Sequence, residues 1–498
     1  MFEGKNVQVL LANAGAGKTS KLMDILLEEL KTRRPEEIAF VTFTKKGASE
    51  GLRRACAKFN ITPDELPYFR TLHSLTFHAL NLNLKNVFGK IDERKFNKET
   101  GYYLNRCDNN SNVHESKDSK YLDFYDLERS SAVTSKQLVE ADIEMGYYRQ
   151  LVQKYEEYKA QQHLVDFFDC LIKYVQEGDS LPCKVVMIDE SQDITSLQWK
   201  VIEKAFSKAE KIYIAGDENQ SIYKYAGARP DFLIQLANKY PRIELKASYR
   251  LPKKVFTLAK GVVNMIQEKT DKAFEFKEGN VEGHVYSLNE LGRLKNFIST
   301  EGLKDDKSCQ WYLLARNNCF LESYAKLLED ELIPYWNSDG FFMGGEIMRR
   351  IKDYNGFSLE GYKTPDKREQ FRKKFGITDF SVPFYETNLF TEGRKWVYAS
   401  YIEKYGLQKL EEMCKWNPQI LLSTIHYVKG GEAKNVALML DSTTRTYGEI
   451  YDDLDAELRV LYVGITRAKE NLYLIDGKSK FGYNKLVSII KDENGLEW

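Results

Sequence analysis

The chain has 498 residues, of which 43% are hydrophobic and 29% are charged, a composition that is typical of folded globular proteins and excludes a disordered chain. At about 150 residues per domain, this length allows roughly three or four domains. Lys plus Arg and Asp plus Glu each number 73, so the chain lacks the global positive field of a histone-like protein, and any contact with nucleic acid must be local.

The first predicted elements are a strand, a small-residue loop and a helix. The apolar run Val7–Leu11 precedes the loop Ala12–Thr19, and apolar residues then recur at helical spacing. Arg33-Arg34-Pro35 ends this helix, and Ile38–Phe43 is predicted to be a second strand. The order is that of a βαβ unit of a parallel sheet.

Further buried strands are predicted along the rest of the chain at Val185–Ile188, Ile212–Ala215, Trp311–Leu314, Leu421–Ile425, Val436–Leu440 and Leu472–Ile475. Two such series of strands indicate two α/β domains. The polar segment Arg106–Lys120 is predicted to be a loop in an inserted helical subdomain. A second insertion covers about Phe341–Trp416 and includes the charge-rich segment Asp366–Lys374.

The loop after the first strand has the composition of a triphosphate-binding loop. Gly15 and Gly17 let backbone N–H groups approach phosphate, Lys18 reaches the terminal phosphates, and Thr19 offers a hydroxyl to Mg²⁺. The predicted nucleotide-binding residues are Ala14, Gly15, Ala16, Gly17, Lys18, Thr19 and Ser20. Ala12 replaces the first glycine of the usual pattern, and a chance small-residue turn is the alternative interpretation.

Two adjacent carboxylates follow the predicted strand Val185–Ile188. Asp189 is suited to hold a metal ion, and Glu190 to orient or deprotonate an attacking water. A solvated acidic turn that caps the next helix is the alternative.

Taken in order, the motifs resemble those of the UvrD/Rep helicases of superfamily 1. The matching segments are Leu11–Thr19, Val41–Ala48, Thr71–Ser74, Asp166–Leu171, Asp189–Asp193, Gly216–Ala228, Ala247–Leu251, Ser423–Glu432 and Leu461–Lys469. They extend over nearly the whole chain except the two insertions. Their shared order, rather than any single segment, supports the resemblance.

The resemblance implies an α/β fold of two RecA-like parallel-sheet domains, the P-loop NTPase architecture, each with a mainly helical insertion. The first domain would comprise residues 1–75 and 166–246, with its insertion at 76–165. The second would comprise residues 247–340 and 417–498, with a short insertion at 341–416.

The resemblance also implies roles around a nucleotide. Gln220 would contact the γ-phosphate, Arg250 and Arg467 would be arginine fingers, Tyr249 would stack on adenine, and Glu432 would accept from the ribose hydroxyl. An arginine finger raises the rate by about 10³- to 10⁵-fold. Each role has a structural alternative. Gln220 could be an ordinary amide in a turn, and Arg250 and Arg467 could be solvated surface residues. Tyr249 could be a core tyrosine and Glu432 a surface glutamate.

For nucleic acid, the resemblance implies contacts from Phe43, Thr44, His73, Tyr225, Thr424 and His426. Aromatic platforms accept any base sequence because every base has a π-face. Core packing is the alternative for each ring. Lys45, Lys46, Arg53 and Arg54 could add phosphate contacts or form a hydrated helix face.

The implied function is that of an ATP-dependent DNA helicase and translocase moving 3' to 5' on single-stranded DNA, with ATP and Mg²⁺ as cofactors. Its substrates would be single strands and duplexes with a 3' tail, and its protein partners would belong to replication, repair or defence. The alternative is a nucleotide-gated, non-unwinding clamp or remodelling subunit of a repair or defence complex. RNA stays open as a substrate, because no residue is identified that reads the 2'-hydroxyl.

Nothing in the sequence predicts export or membrane contact. No apolar run approaches the ~18 residues that span a bilayer, and Met1–Val7 lacks a basic region followed by an apolar stretch. The seven cysteines form no C-x-x-C pair and are interpreted as reduced thiols. The sequence therefore predicts a cytoplasmic protein and does not define its oligomeric state.

Several departures from the family pattern bear on activity. Because the sequence begins close to Lys18 and ends soon after Arg467, we expect neither the family's adenine-reading glutamine segment nor a nuclease domain. Tyr225-Ala226-Gly227-Ala228 stands where the family usually has Trp-Arg before Gly-Ala. The short second insertion leaves strong unwinding by a monomer in question.

Overall fold

The computed structural model describes residues 2–106, 116–130, 143–298, 309–360, 366, 369, 385, 394–493 and 495. The chain forms two compact units. The first comprises Met1–Glu282, Gly448–Thr466 and Ile490–Leu496, and the second comprises Gly283–Tyr447, Arg467–Ile489 and Glu497–Trp498.

The strands, in chain order, are β1 Asn6–Ala12, β2 Ile38–Thr42, β3 Phe69–Thr71, β4 Val185–Asp189, β5 Lys211–Gly216, β6 Arg242–Leu245, β7 Ala247–Ser248, β8 Glu275–Phe276, β9 His284–Leu288, β10 Trp311–Ala315, β11 Trp336–Asn337, β12 Gly340–Phe341, β13 Ile420–Thr424, β14 Ala433–Met439 and β15 Ala468–Ile475.

The helices are α1 Lys18–Leu30, α2 Lys45–Phe59, α3 Leu72–Ala79, α4 Lys90–Thr100, α5 Lys117–Arg129, α6 Met145–Gln161, α7 Phe167–Glu177, α8 Ser196–Ala205, α9 Pro230–Lys239, α10 Lys253–Met265, α11 Leu321–Asp330, α12 Gly345–Glu360, α13 Arg394–Tyr405, α14 Leu407–Met413, α15 Thr444–Asp452, α16 Leu454–Ile465 and α17 Asn484–Glu493.

The first unit is built on a parallel sheet of strand order β3-β2-β4-β5-β1-β6. Leu11 is paired with Gly216 and Thr42 with Asp189, so the carboxyl ends of these strands lie at one edge. Because successive side chains point to opposite faces, strands β1, β2, β4 and β5 each contribute to two cores. Val186 and Ile188 pack on one face with α7, α8 and α9, while Val185 and Met187 pack on the other face with α1.

The helical insertion of the first unit has its own core, formed by α4, α5 and α6 and rich in tyrosine. Asp166 caps α7 by accepting from the backbone N–H of Asp169. Lys159 and Arg129 pair with Asp166 at 2.8 Å each. The insertion is therefore tied to α7 by buried charges.

The prediction that Arg106–Lys120 is a loop is wrong for its last four residues, which are helical. Helix α5 begins at Lys117 because the Ser116 hydroxyl accepts from the backbone N–H of Ser119, which caps the helix. Residues 107–115 of that loop lie outside the described residues.

The first unit also contains later parts of the chain. Helices α10 and α16 pack against one another, and Phe274 contacts both Phe256 of α10 and Tyr462 of α16. Residues 247–282 and 448–466 thus join the unit that carries the first sheet, although the resemblance assigns both segments to the second domain. The domain boundaries stay a prediction.

The second unit is built on a sheet of strand order β12-β11-β13-β10-β14-β15-β9. Its strands are parallel apart from the β11–β12 pair. The described part of the second insertion is helical, whereas most of Asp366–Lys374 lies outside the described residues. The predicted α/β class with parallel sheets and helical insertions is confirmed.

Among the described residues, no helix is both long and apolar enough to cross a membrane. The six cysteines in the described part of the chain are free thiols.

Candidate nucleotide and strand site

The phosphate loop connects β1 to α1 and depends on two glycines in left-handed backbone conformations. Gly15 has φ of 75° and Gly17 has φ of 80°, values that side chains rarely tolerate. A Cβ on Gly15 would lie 2.7 Å from the Cβ of Arg250 and 2.8 Å from the hydroxyl of Ser248. Glycine therefore allows the segment around Arg250 to lie directly against the loop.

Lys18, the first residue of α1, pairs with both predicted carboxylates. Its Nζ lies 3.1 Å from Oδ1 of Asp189 and 2.9 Å from Oε1 of Glu190. Burial by itself would lower the pKa of Lys18, but the two carboxylates outweigh burial and raise it. Burial is also the main reason why the pKa of Asp189 is raised. The cluster thus consists of two carboxylates that share the ammonium of Lys18, with Lys18 and Asp189 largely buried.

Glu190 sits in a strained backbone conformation at the end of β4. Its φ of 55° lies in the left-handed region, which non-glycine residues adopt at a cost and which is common at functional sites. Nε2 of Gln192 donates to Oε2 of Glu190 at 2.5 Å, and Oε1 of Gln192 accepts from the backbone N–H of Asp217 at 3.1 Å. Gln192 therefore connects Glu190 to the segment after β5.

Gln220 lies in that segment, on a short 3₁₀ helix formed by Glu218–Gln220. Its Nε2 donates to Oδ2 of Asp217 at 2.6 Å. Gln192 and Asp217 thus link the predicted water-orienting carboxylate to the predicted γ-phosphate contact.

Later parts of the first unit hold the phosphate loop by its backbone. The N–H of Ala14 donates to the hydroxyl of Tyr462 at 3.1 Å, and its carbonyl accepts from the hydroxyl of Ser248 at 2.8 Å. The N–H of Tyr249 donates to the carbonyl of Gly15 at 3.0 Å. Tyr249 is 63% exposed, and the ammonium of Lys277 lies over its ring, 5.5 Å from the centroid. Nη2 of Arg250 donates to the carbonyl of Thr466 at 2.8 Å.

Three rings form a row that we call the aromatic row: Phe43, Tyr223 and Tyr225. The centroids of Phe43 and Tyr223 are 5.4 Å apart with an interplanar angle of 29°, and those of Tyr223 and Tyr225 are 6.2 Å apart at 66°. Tyr225 is 65% exposed. Thr44 caps α2 by accepting from the N–H of Gly47, which gives this threonine a structural role beside Phe43.

His73 is packed differently from the aromatic row. Its ring lies nearly perpendicular to that of Phe167, with an interplanar angle of 84° and a centroid separation of 5.8 Å. Burial lowers the pKa of His73 to about 4. The ring is therefore neutral near pH 7.

The other predicted residues lie in the second unit. Thr424 ends β13, with His426 just beyond it, and Glu432 pairs with Lys469 at 3.2 Å. Arg467 is 1% exposed, and its Nη1 donates to the carbonyl of Gly431 at 3.0 Å. These contacts within the unit fix Arg467 next to the segment that carries Glu432.

The first unit thus brings together Lys18, Asp189 and Glu190, joins Gln220 to them through hydrogen bonds, and places Tyr249 and Arg250 beside the loop. The sequence reasoning did not single out Tyr223, Gln192 or Tyr462. Tyr223 carries a usable signal, because it lies two residues before Tyr225 in the same motif. Gln192 and Tyr462 act through contacts that no local pattern predicts.

A parallel sheet whose first strand leads into a glycine loop, with a largely buried lysine set against two carboxylates at the end of another strand of the sheet, defines a P-loop nucleotide-binding protein. Residues 2–241 match the family model of the UvrD/REP helicase N-terminal domain, and residues 378–479 match that of the UvrD-like helicase C-terminal domain. The chain belongs to the UvrD/Rep-like helicase family.

Curated relatives agree with this assignment. The chain is 25% identical over 369 residues to the ATP-dependent DNA helicase Rep of Buchnera aphidicola subsp. Acyrthosiphon pisum, a match that covers 68% of this chain and 57% of that protein. It is 24% identical over 391 residues to the ATP-dependent DNA helicase PcrA of Staphylococcus aureus, covering 69% of this chain and 50% of that protein. The chain therefore spans about half the length of these relatives.

Proposed function

We propose that this protein is an ATP-driven motor that moves 3' to 5' along single-stranded DNA and unwinds duplexes carrying a 3' tail. The observation that carries the proposal is that a single segment, 216–228, holds both Gln220, which is bonded into the pocket network, and two rings of the aromatic row. A change at the nucleotide can therefore reach the strand-binding surface through a few residues of backbone. The DNA substrate and the use of ATP are supported by the names of the relatives, Rep and PcrA.

The pocket residues fit a triphosphate with Mg²⁺. Asp189 and Glu190 already bind a cation, the ammonium of Lys18, and carboxylate and hydroxyl oxygens are ligands that Mg²⁺ prefers. Asp189 and Thr19 would hold the ion. When bound, Mg²⁺ neutralises charge on the phosphate oxygens.

In the proposed reaction, the triphosphate takes Lys18 away from its carboxylate partners. Glu190, released from this ion pair, orients the attacking water and accepts its proton. Gln220 donates to the γ-phosphate and loses this contact after hydrolysis. Arg250 and Arg467 stabilise charge in the transition state, Tyr249 stacks on the base, and Glu432 accepts from the ribose.

The strand is gripped by stacking rather than by sequence reading. Phe43, Tyr223 and Tyr225 offer ring faces to successive bases, and His73, Thr424 and His426 add contacts along the strand. Loss of the γ-phosphate contact shifts segment 216–228 and loosens the aromatic row, so each round of hydrolysis alters how tightly the strand is bound.

A cytoplasmic location is proposed from the free cysteines of the described residues.

The test is the rate of ATP hydrolysis without nucleic acid, with single-stranded DNA, and with RNA of equal length. We expect DNA to stimulate turnover more strongly than RNA. An equal or greater effect of RNA would contradict the assignment to DNA.

Strand displacement on duplexes with a 3' tail, a 5' tail or blunt ends then tests direction. We expect displacement from the 3'-tailed duplex alone. Stimulated hydrolysis without displacement of any duplex would instead support the non-unwinding clamp.

A further inference from the structure

A buried group of charges lies next to Gln220 in the first unit. Nζ of Lys272 lies 2.7 Å from Oδ1 of Asp217 and 2.5 Å from Oε2 of Glu218, and these three side chains are 3%, 1% and 0% exposed. The N–H and hydroxyl of Thr270 both donate to Oε1 of Glu218, at 3.0 and 2.7 Å. The segment between α10 and β8 thus supplies a cation and two hydrogen bonds to the carboxylates that precede Gln220.

The two oxygens of Asp217 have different partners. Oδ1 accepts from Lys272 at 2.7 Å and from the backbone N–H of Asn219 at 3.2 Å, and Oδ2 accepts from Nε2 of Gln220 at 2.6 Å. Holding one oxygen of a planar carboxylate fixes the direction of the other, which in turn fixes the carboxamide of Gln220. Lys272, the charged and closer of the two donors to Oδ1, therefore helps to fix the orientation of Gln220 without contacting it.

Lys272 and Glu218 stay charged only because they are paired, since burial disfavours the charged form of each side chain. Burial by itself would lower the pKa of Lys272, but Asp217 and Glu218 outweigh it and raise it. Burial would likewise raise the pKa of Glu218, but Lys272 outweighs it and lowers it. Stability alone is a weak reason for such a group, because replacing buried ion pairs by apolar residues is often neutral or stabilising.

We propose that Lys272 is a positioning residue for ATP hydrolysis, which aligns the carboxamide of Gln220 through Asp217. This inference rests on the proposed contact of Gln220 with the γ-phosphate. It adds a group outside the recognised motifs, on the segment that follows α10, to the set of residues that determine turnover.

The test is Lys272→Met, which keeps the length of the side chain and removes its charge. We expect kcat of DNA-stimulated hydrolysis to fall about 10- to 100-fold, as is usual for outer partners of a reactive group, with KM for ATP changed less than about threefold because Lys272 binds no nucleotide. Lys159→Met is the matched control: Lys159 is 2% exposed and pairs with Asp166 and Asp169 at 2.8 and 2.6 Å. It should lose a similar amount of thermal stability and keep kcat.

A double-mutant cycle separates positioning from general damage. In a Gln220→Ala background, Lys272→Met should lower kcat no further, because the group that it positions is gone. An equal additional loss in that background, or an unchanged kcat for Lys272→Met in the parent chain, would overturn the inference alone. If Gln220→Ala itself leaves kcat unchanged, the proposed role of Gln220 fails, and the inference fails with it.

Should Lys272→Met not fold, Asp217→Asn takes its place. Asparagine offers one acceptor oxygen where Asp217 uses two, so Lys272, Gln220 and the backbone N–H of Asn219 compete for it. The same kcat loss, absent in the Gln220→Ala background, is expected, and a normal kcat would contradict the proposal.

Discussion

The charged cluster of Lys18, Asp189 and Glu190 and the aromatic row both lie in loops at the carboxyl edge of the first sheet. The first consists of paired charges, and the second consists of aromatic rings. In the pocket, Lys18 and Asp189 are largely desolvated charges held by one another. In the aromatic row, Tyr225 presents most of its ring to solvent. A preorganised charged pocket acts on the transition state, whereas exposed rings act by stacking.

Under the proposed function, this contrast predicts that ATP turnover and strand binding can be changed separately, even though segment 216–228 carries both Gln220 and two rings of the aromatic row. Changes in charge should act on kcat and leave strand affinity nearly intact. Changes in the rings should act on strand affinity, and on turnover only through the strand that stimulates it.

The strongest test of the charged side is Arg467→Ala. If Arg467 stabilises the transition state, kcat should fall by about 10³- to 10⁵-fold, while ATP affinity stays within about an order of magnitude. Single-turnover hydrolysis and nucleotide titration measure the two quantities. An unchanged rate would remove Arg467 from the proposed reaction.

Burial of Arg467 against the carbonyl of Gly431 makes a control necessary. Arg459 is 2% exposed and its Nη2 donates to the carbonyl of Glu268 at 2.6 Å, in the first unit. Arg459→Ala should lower the melting temperature without a loss of kcat of this size. Equal kcat losses in both variants would indicate that Arg467 matters through packing.

Next in size is Lys18→Ala. Loss of one preorganised cation at the phosphates should lower DNA-stimulated hydrolysis by about 10²- to 10³-fold or more. Strand affinity and its dependence on salt should stay near those of the parent chain, because the proposal assigns Lys18 to the nucleotide and not to the strand phosphates. Titration of labelled single-stranded DNA at two salt concentrations checks this, and a large loss of strand affinity would break the separation of pocket and row.

The sequence predicted the charged pocket better than the aromatic row, and the reason is physical. A phosphate loop and adjacent carboxylates need fixed spacings along the chain, so Lys18, Asp189 and Glu190 were predicted and are found together. A ring row needs only proximity in space, so Tyr223 was missed although it stacks on Phe43.

Strands were likewise predictable where they are fully buried, since continuous apolar runs mark them. Val185–Asp189 and Trp311–Ala315 differ from their predictions by one residue at the end. The half-exposed strand β6, Arg242–Leu245, was not predicted because its charged residues give no such run. Nor could any local pattern show that the Tyr462 hydroxyl accepts from Ala14, more than four hundred residues earlier in the chain.

On the aromatic side, Tyr223→Ala should weaken strand binding by about 1 to 3 kcal/mol, which is about 5- to 150-fold in Kd because each 1.4 kcal/mol is tenfold. Hydrolysis at saturating DNA should change little. Tyr223→Phe keeps the ring and serves as the control, with near-parental affinity. A collapse of kcat at saturating DNA would show that the row belongs to the chemistry and not only to the grip.

The smallest effect is expected at His73, where the contrast between charge and ring can be tested by pH. Burial lowers the folded pKa of His73 to about 4, below the unfolded value of about 6.5. The unfolded chain therefore takes up the proton first, so this contribution to stability is complete above pH 6.5 and is lost as pH falls towards 4. Melting temperatures from pH 8 to 4.5 should fall less steeply for His73→Gln than for the parent chain. Parallel curves would mean that the folded protein tolerates a protonated His73, so that its pKa is not lowered by burial.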